Sequence, residues 1–142
     1  MTRLGRILAF DVGTKRVGMA RTDLLQTSAN PAGTFPPDRI WDEIENYRKE
    51  HPVLAFVVGW PVSTTGDESR ALTMVGPFIE KLKNNSPSTP VYKIDERYTS
   101  KEAVRTLIDA GVPRKKRAEK GRLDQVAAAL ILQQFLETKQ DY

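Results

Sequence analysis

Residues 6–22 read RILAFDVGTKRVGMART, and the fold turns on how that run is organised. Ile7, Leu8, Ala9 and Phe10 form the continuous apolar stretch expected of a strand buried on both faces. It meets an acid at Asp11, and Gly13-Thr14-Lys15 has turn chemistry. Val17 to Thr22 resumes as an extended segment, so the spacing predicts two antiparallel strands joined by a short turn. Asp11 shares strand parity with Ile7 and Ala9 and should project toward a packed face. Burying a carboxylate is costly unless a cation compensates, which marks Asp11 for function; an Asp before a turn also serves simply to start the turn. Gly13 to Gly18 is not a phosphate loop, because it lacks the GK[ST] ending and leads into a strand.

Outward from this hairpin, a third short strand is expected near Ala32 to Phe35. Pro36-Pro37-Asp38 opens a helix carrying Ile40, Trp41, Ile44 and Tyr47 on one face and closing before Pro52. Val53 to Val58 is the clearest buried strand. A polar loop from Pro61 to Asp67 precedes a second helix with an inward stripe of Ala71, Leu72, Val75, Phe78, Ile79 and Leu82, kinked at Gly76-Pro77. Asn84 to Pro87 forms a turn, and the strand Val91 to Ile94 runs into Asp95-Glu96-Arg97. Thr99-Ser100-Lys101-Glu102 matches a capping box for a helix through Val104, Leu107 and Ile108, which Gly111 stops. A basic loop from Val112 to Gly121 leads to a last helix beginning at Leu123. This order describes an α/β domain: a mixed five-stranded sheet, antiparallel at its start and parallel afterwards, flanked by helices on both faces.

The chain has 142 residues, 39% hydrophobic and 28% charged, which suits one domain over residues 1–142 and is too short for the two large lobes of an actin-like or sugar-kinase ATPase. No apolar run approaches the ~20 residues that cross a bilayer. The first apolar run is short and ends at Asp11, unlike a signal peptide, so a cytoplasmic protein with no membrane partner is expected. The absence of cysteine excludes disulfides, a thiol nucleophile and cysteine-ligated zinc or iron–sulfur clusters. The single histidine, His51, excludes a multi-histidine metal site.

Net charge is +4, but it is unevenly spread: Arg97 to Arg122 holds nine basic residues against three acids, a local +6, leaving −2 elsewhere. A concentrated cationic segment suits a phosphate backbone, since counterion release rewards clustered Lys and Arg; a solvated basic loop is the plainer alternative. Two more acid positions stand beside Asp11. Asp95 and Glu96 end a strand and point to opposite faces, so only one can join Asp11, and parity does not choose between them. Asp124 lies in the first turn of the last helix, where the helix dipole favours an anion, and beside the stripe Ala127, Ala128, Ile131 and Phe135. Asp11, one of Asp95 and Glu96, and Asp124 together would make an all-oxygen site for one or two Mg²⁺ or Mn²⁺ ions, suited to phosphodiester hydrolysis.

At these residues the sequence resembles the YqgF family, also called RuvX, of RNase H-like bacterial proteins related to Holliday-junction resolvases and described as pre-16S rRNA nucleases. The resemblance spans nearly the whole chain and rests on four ordered motifs: Phe10-Asp11-Val12-Gly13-Thr14-Lys15-Arg16-Val17-Gly18; Val57-Val58-Gly59-Trp60-Pro61 with Gly66; Asp95-Glu96-Arg97 with Thr99; and Asp124-Gln125-Val126-Ala127-Ala128 with Ile131-Leu132-Gln133. Trp60, Thr65 and Tyr98 depart from the usual family residues.

The resemblance implies an RNase H-like fold and a metal-dependent nuclease whose acidic positions are Asp11, Glu96 and Asp124, favouring Glu96 over Asp95. It implies that Lys15, Arg16 and Arg97 lie near substrate phosphate and that Arg114, Lys115, Lys116 and Arg117 form a basic loop before the last helix. The expected partner is structured RNA, foremost precursor ribosomal RNA cut at its 5′ end, and the protein a monomer or weak homodimer. Branched DNA is the second expectation; a junction resolvase usually needs a symmetric dimer. The rival from another class is an RNA-binding ribosome-assembly factor that cuts nothing.

Overall fold

The computed structural model describes residues 3–61, 69, 71–96, 105, 111 and 121–138. Its sheet contains β1 (Arg6–Val12), β2 (Val17–Thr22), β3 (Ala29–Phe35), β4 (Val53–Pro61) and β5 (Val91–Glu96) in the order β3-β2-β1-β4-β5. β2 pairs antiparallel with both β1 and β3, while β1, β4 and β5 run parallel. The helices are α1 (Ile40–Glu50), α2 (Gly76–Asn85) and α3 (Arg122–Glu137). The mixed five-stranded sheet with helices on both faces is therefore present as expected, and the hairpin closes through Gly13 N–H donating to the Arg16 carbonyl at 2.9 Å.

Alternation along the central strands sorts the core into two clusters. Leu8, Phe10, Val12, Phe56 and Val58 pack with Ile40, Ile44, Phe78 and Ile79 from α1 and α2. Ile7, Ala9, Ala20, Ala55 and Val57 pack with Ala128, Ile131, Leu132 and Phe135 from α3. The middle of β1 is closed to water on both faces: Ile7, Leu8, Ala9 and Phe10 are each fully buried. Burying a large apolar side chain stabilises by about 2 kcal/mol, so the sheet's centre anchors everything placed at its ends.

Several boundaries differ from the sequence expectation. β3 begins at Ala29, because a bulge between Met19 and Ala20 admits Pro31 on an edge strand, where no ladder donor is missed. β4 continues through Pro61 because β5 pairs alongside it as far as Glu96. The residues Pro36 to Arg39 form a turn, and α1 starts at Ile40. In place of a kinked helix, a π-helical turn over Ala71–Val75 hands over to α2, with Pro77 at the helix start, where its missing N–H costs little. Leu72, expected inward, is 65% exposed, because the wider π turn changes its azimuth. The capping box at Thr99, the helix through Val104 to Ile108 apart from the helical, exposed Arg105, and most of the Pro61–Asp67 and Val112–Gly121 loops lie outside the described residues. Gly111 takes φ +75°, as a helix-stopping glycine would. Among the described residues no helix is long and apolar enough to cross a membrane.

Candidate functional site

The last residues of β1 alternate faces, with Val12 toward α1 and α2 and Asp11 toward α3. Asp11 is half-buried, its Oδ1 shielded from solvent, and its cross-strand partner is Gly18 of β2. A Cβ on Gly18 would occupy the space taken by the Asp124 backbone carbonyl. The bare glycine thus lets the first turn of α3 lie directly on β2, beside Asp11. Two features fix that turn: Gly121, the residue before the helix, adopts the left-handed φ of +90°, and its carbonyl accepts the Thr34 hydroxyl of β3.

The parity question at the end of β5 has a structural answer. Tyr92 and Ile94 pack in the α3 cluster and Val91 in the opposite one, so Glu96 shares a face with Asp11 and Asp95 does not. Asp95 is exposed and stands in register with Trp60. Glu96 is half-buried with its Oε2 shielded, and that oxygen lies 3.5 Å from where a Cβ on Gly59 would sit. The β1–β4 register, Phe10 with Val58, places Asp11 level with Gly59. Asp11 and Glu96 therefore approach from the strands on either side of a residue without a side chain. Glu96 itself pairs with Pro61, two residues beyond that level, so its backbone lies two strand spacings across and two residues further along, roughly 12 Å from that of Asp11.

Asp124 is held differently. Its Oδ2 accepts Arg16 Nε at 2.7 Å, an ion pair whose side chains remain 28% and 36% exposed. Arg16, expected near phosphate, thus draws Asp124 toward the β1–β2 turn. As they stand, no three His, Cys, Asp or Glu side chains among the described residues are grouped closely enough to enclose one ion. The structure brings Asp11, Glu96 and Asp124 to one face and one end of the sheet, with Asp124 tethered to a guanidinium. Lys15 is exposed on the turn. Arg97, Arg114, Lys115, Lys116 and Arg117 lie outside the described residues.

Sequence reasoning missed Gly18 and Gly59 as the spacers that admit the α3 backbone and the Ile131 side chain of α3. The signal was available: an isolated glycine within a strand often marks close approach of another backbone or side chain.

The sheet order β3-β2-β1-β4-β5, antiparallel at β2 and parallel through β1, β4 and β5 with helices on both faces, is that of the RNase H-like fold. In agreement, the fold aligns with Thermus thermophilus RuvC in complex with Holliday junction substrate at a TM-score of 0.55, covering 95% of this chain and 96% of that one, at 14% identity. A second Thermus thermophilus RuvC structure aligns at 0.52, covering 94% and 97%, also at 14% identity. The chain belongs to the RuvX family, described as Holliday junction resolvase, whose model matches residues 5–138. It is 45% identical over 132 residues to a Chlorobium phaeobacteroides protein named "Putative pre-16S rRNA nuclease", covering 93% of this chain and 92% of that one. A Porphyromonas gingivalis protein of the same name is 40% identical over 134 residues, covering 94% and 97%.

Proposed function

We propose that this chain, one domain over residues 1–142, is a cytoplasmic, divalent-metal-dependent nuclease that hydrolyses phosphodiester bonds in 5′-end maturation of precursor 16S ribosomal RNA. The observation that supports the reading is the placement of Asp11 and Glu96 on one face at the ends of the two strands flanking β4, with Asp124 at the same end of the sheet. The donor set fits a hard cation: the three acids offer carboxylate oxygens, and Asp11 Oδ1 and Glu96 Oε2 are shielded from water. Bound there, one or two Mg²⁺ or Mn²⁺ ions would supply an activated water and neutralise charge on the phosphate.

The protein's own groups divide the remaining work. Asp11 and Glu96 would hold the cation, and Asp124 would join them once Arg16 turns from it to a substrate phosphate. The positive end of α3 adds to the attraction for the phosphodiester. Lys15, Arg16 and Arg97 orient the phosphate beside the acids, while Arg114, Lys115, Lys116 and Arg117 bind the backbone further along. The protein acts as a monomer or weak homodimer.

The test is cleavage of labelled precursor 16S RNA, and of a four-way DNA junction, by wild-type protein and Asp11→Asn in Mg²⁺, Mn²⁺ or chelator. Metal-dependent cutting of the RNA is expected, reduced at least about a hundredfold in the variant with an unchanged melting temperature. Unchanged turnover in Asp11→Asn would remove the site assignment. Cutting of the junction alone would make the substrate DNA, and binding without cutting under either metal would make the protein an assembly factor.

A further inference from the structure

The β1–β2 turn has two sides. One carries Arg16 toward Asp124; the other walls a cleft of about 380 Å³ on the α1 and α2 face of the sheet. Thr14, Pro37, Trp41, Met74, Pro77 and Lys81 are among its lining residues. That volume falls within the range of roughly 300–1,000 Å³ usual for small-ligand sites. Among the described residues, the lining contains one cation and no acid. Trp41, half-buried, leans on Phe78 at 4.9 Å between ring centroids, and the exposed Lys81 ammonium lies 4.5 Å over its ring. Trp60 repeats the arrangement: it packs on the same face, with Lys93 Nζ 4.2 Å over its ring, and stands two residues past the Val58–Phe10 pair, level with Val12 of the cleft. Both tryptophans of the chain thus sit at one end of one face, each beneath a lysine.

We propose that this cleft receives an unpaired nucleobase of the strand whose phosphodiester lies at the acids. The inference rests on the nuclease reading and adds a feature of the substrate: a single-stranded nucleotide close to the cut. An aromatic and proline-lined slot accepts the flat π-face of any base, and stacking of this kind tolerates sequence. Lys81 at the rim, with Lys15 on the adjoining turn, complements the phosphates flanking that base. The turn serves as the ridge over which the backbone passes from one face to the other. A purely apolar ligand would leave the rim cations without purpose, and a base locked in a duplex cannot turn into the slot.

The test uses full-length protein in chelator, where no cutting occurs, and a fluorescein-labelled single-stranded RNA followed by anisotropy. Replacing single nucleotides by abasic ones should weaken binding about tenfold at one position and little elsewhere. A 4-thiouridine at that position should crosslink to the segments carrying Trp41 or Met74 to Lys81. Lys81→Glu, an exposed change that spares the core, should abolish the positional effect, and Trp41→Phe should retain part of it. Uniform tolerance of abasic sites, with binding and cleavage intact, overturns the inference and leaves the nuclease reading standing. Failure to bind or cut any nucleic acid overturns both. If Lys81→Glu alters self-association while RNA binding is untouched, the cleft is a protein surface and the inference falls.

Discussion

At the end of the sheet beyond β1, the two faces receive neighbouring residues and develop opposite chemistry. Toward α3 come Asp11, Glu96 and Asp124; toward α1 and α2 come Val12 and Trp60, with lysines lying over both tryptophan rings. The separation follows from the two-residue period of a strand: Asp11 and Val12, or Asp95 and Glu96, are adjacent in sequence and a sheet's thickness apart in space. Acids on one side can gather a cation that lysines on the same side would repel. Lysines on the other can meet phosphates without neutralising the acids.

The sharpest test of that division uses the acid pair at the end of β5. Glu96→Gln should lower cleavage at least about a hundredfold, whereas Asp95→Asn, on the other face, should stay within about twofold of wild type under single-turnover conditions. Comparable losses in both would erase the distinction between faces.

Gly18 sets the next largest effect. Gly18→Ala puts a methyl into the Asp124 carbonyl, and because backbone cannot swing away as a side chain end can, it should cost about 3 kcal/mol in urea unfolding. Gly59→Ala meets the terminal methyl of Ile131, which can give, and should cost about 1 kcal/mol. Reversal of that order would mean that α3 does not rest on Gly18.

Arg16→Gln probes the tether within the acid face. Its half-exposed ion pair contributes at most about 1 kcal/mol to stability, so melting should barely change. Freeing Asp124 should instead tighten Mn²⁺ binding, measured by titration calorimetry without RNA, while weakening RNA binding. Weaker Mn²⁺ binding would show that Arg16 helps the acids rather than competing for one.

The smallest effect belongs to the opposite end of the sheet, where an aspartate has a different task. Asp23 accepts the Thr27 hydroxyl at 2.6 Å and the backbone N–H groups of Thr27 and Ser28 at 2.7 and 2.9 Å. These bonds, the Thr27 hydroxyl foremost, outweigh desolvation and hold its carboxyl well below the usual carboxylate range. A depressed folded-state pKa gives stability that is present above the ordinary Asp value of about 3.9 and is lost progressively as pH falls below it. Asp23→Asn should therefore lower the melting temperature slightly at pH 6 and by clearly less near pH 2, where the unfolded-state carboxyl is already protonated; an equal deficit at both would exclude the charge as the cause.

Much of this was legible in the chain. The unbroken apolar runs of β1 and β4 announced buried strands, the Gly13–Arg16 turn announced the hairpin, and the stripe through Ala128, Ile131 and Phe135 assigned α3 its inner face. Strand parity also sent Asp11 toward a packed face before any neighbour was known. Other features were not legible. Leu72 carries the spacing of an inward residue and lies outside because a π turn shifts the helical phase. Strand parity at Tyr92 and Lys93 does not separate Asp95 from Glu96; the family resemblance favours Glu96, and the packing of α3 on Tyr92 and Ile94 supplies the physical reason.

By itself the sequence determined which segments pair and coil, since apolar periodicity and turn chemistry act over a few residues, and it restricted the candidate chemistry to carboxylates and cations by omitting cysteine and all but one histidine. Only the tertiary structure decided which acids share a face, that Gly18 and Gly59 make room for α3, and that Arg16 takes hold of Asp124. Those outcomes depend on register between strands far apart in the chain and on where one helix comes to rest. Such contacts are set by packing the whole core at once, and no local pattern encodes them.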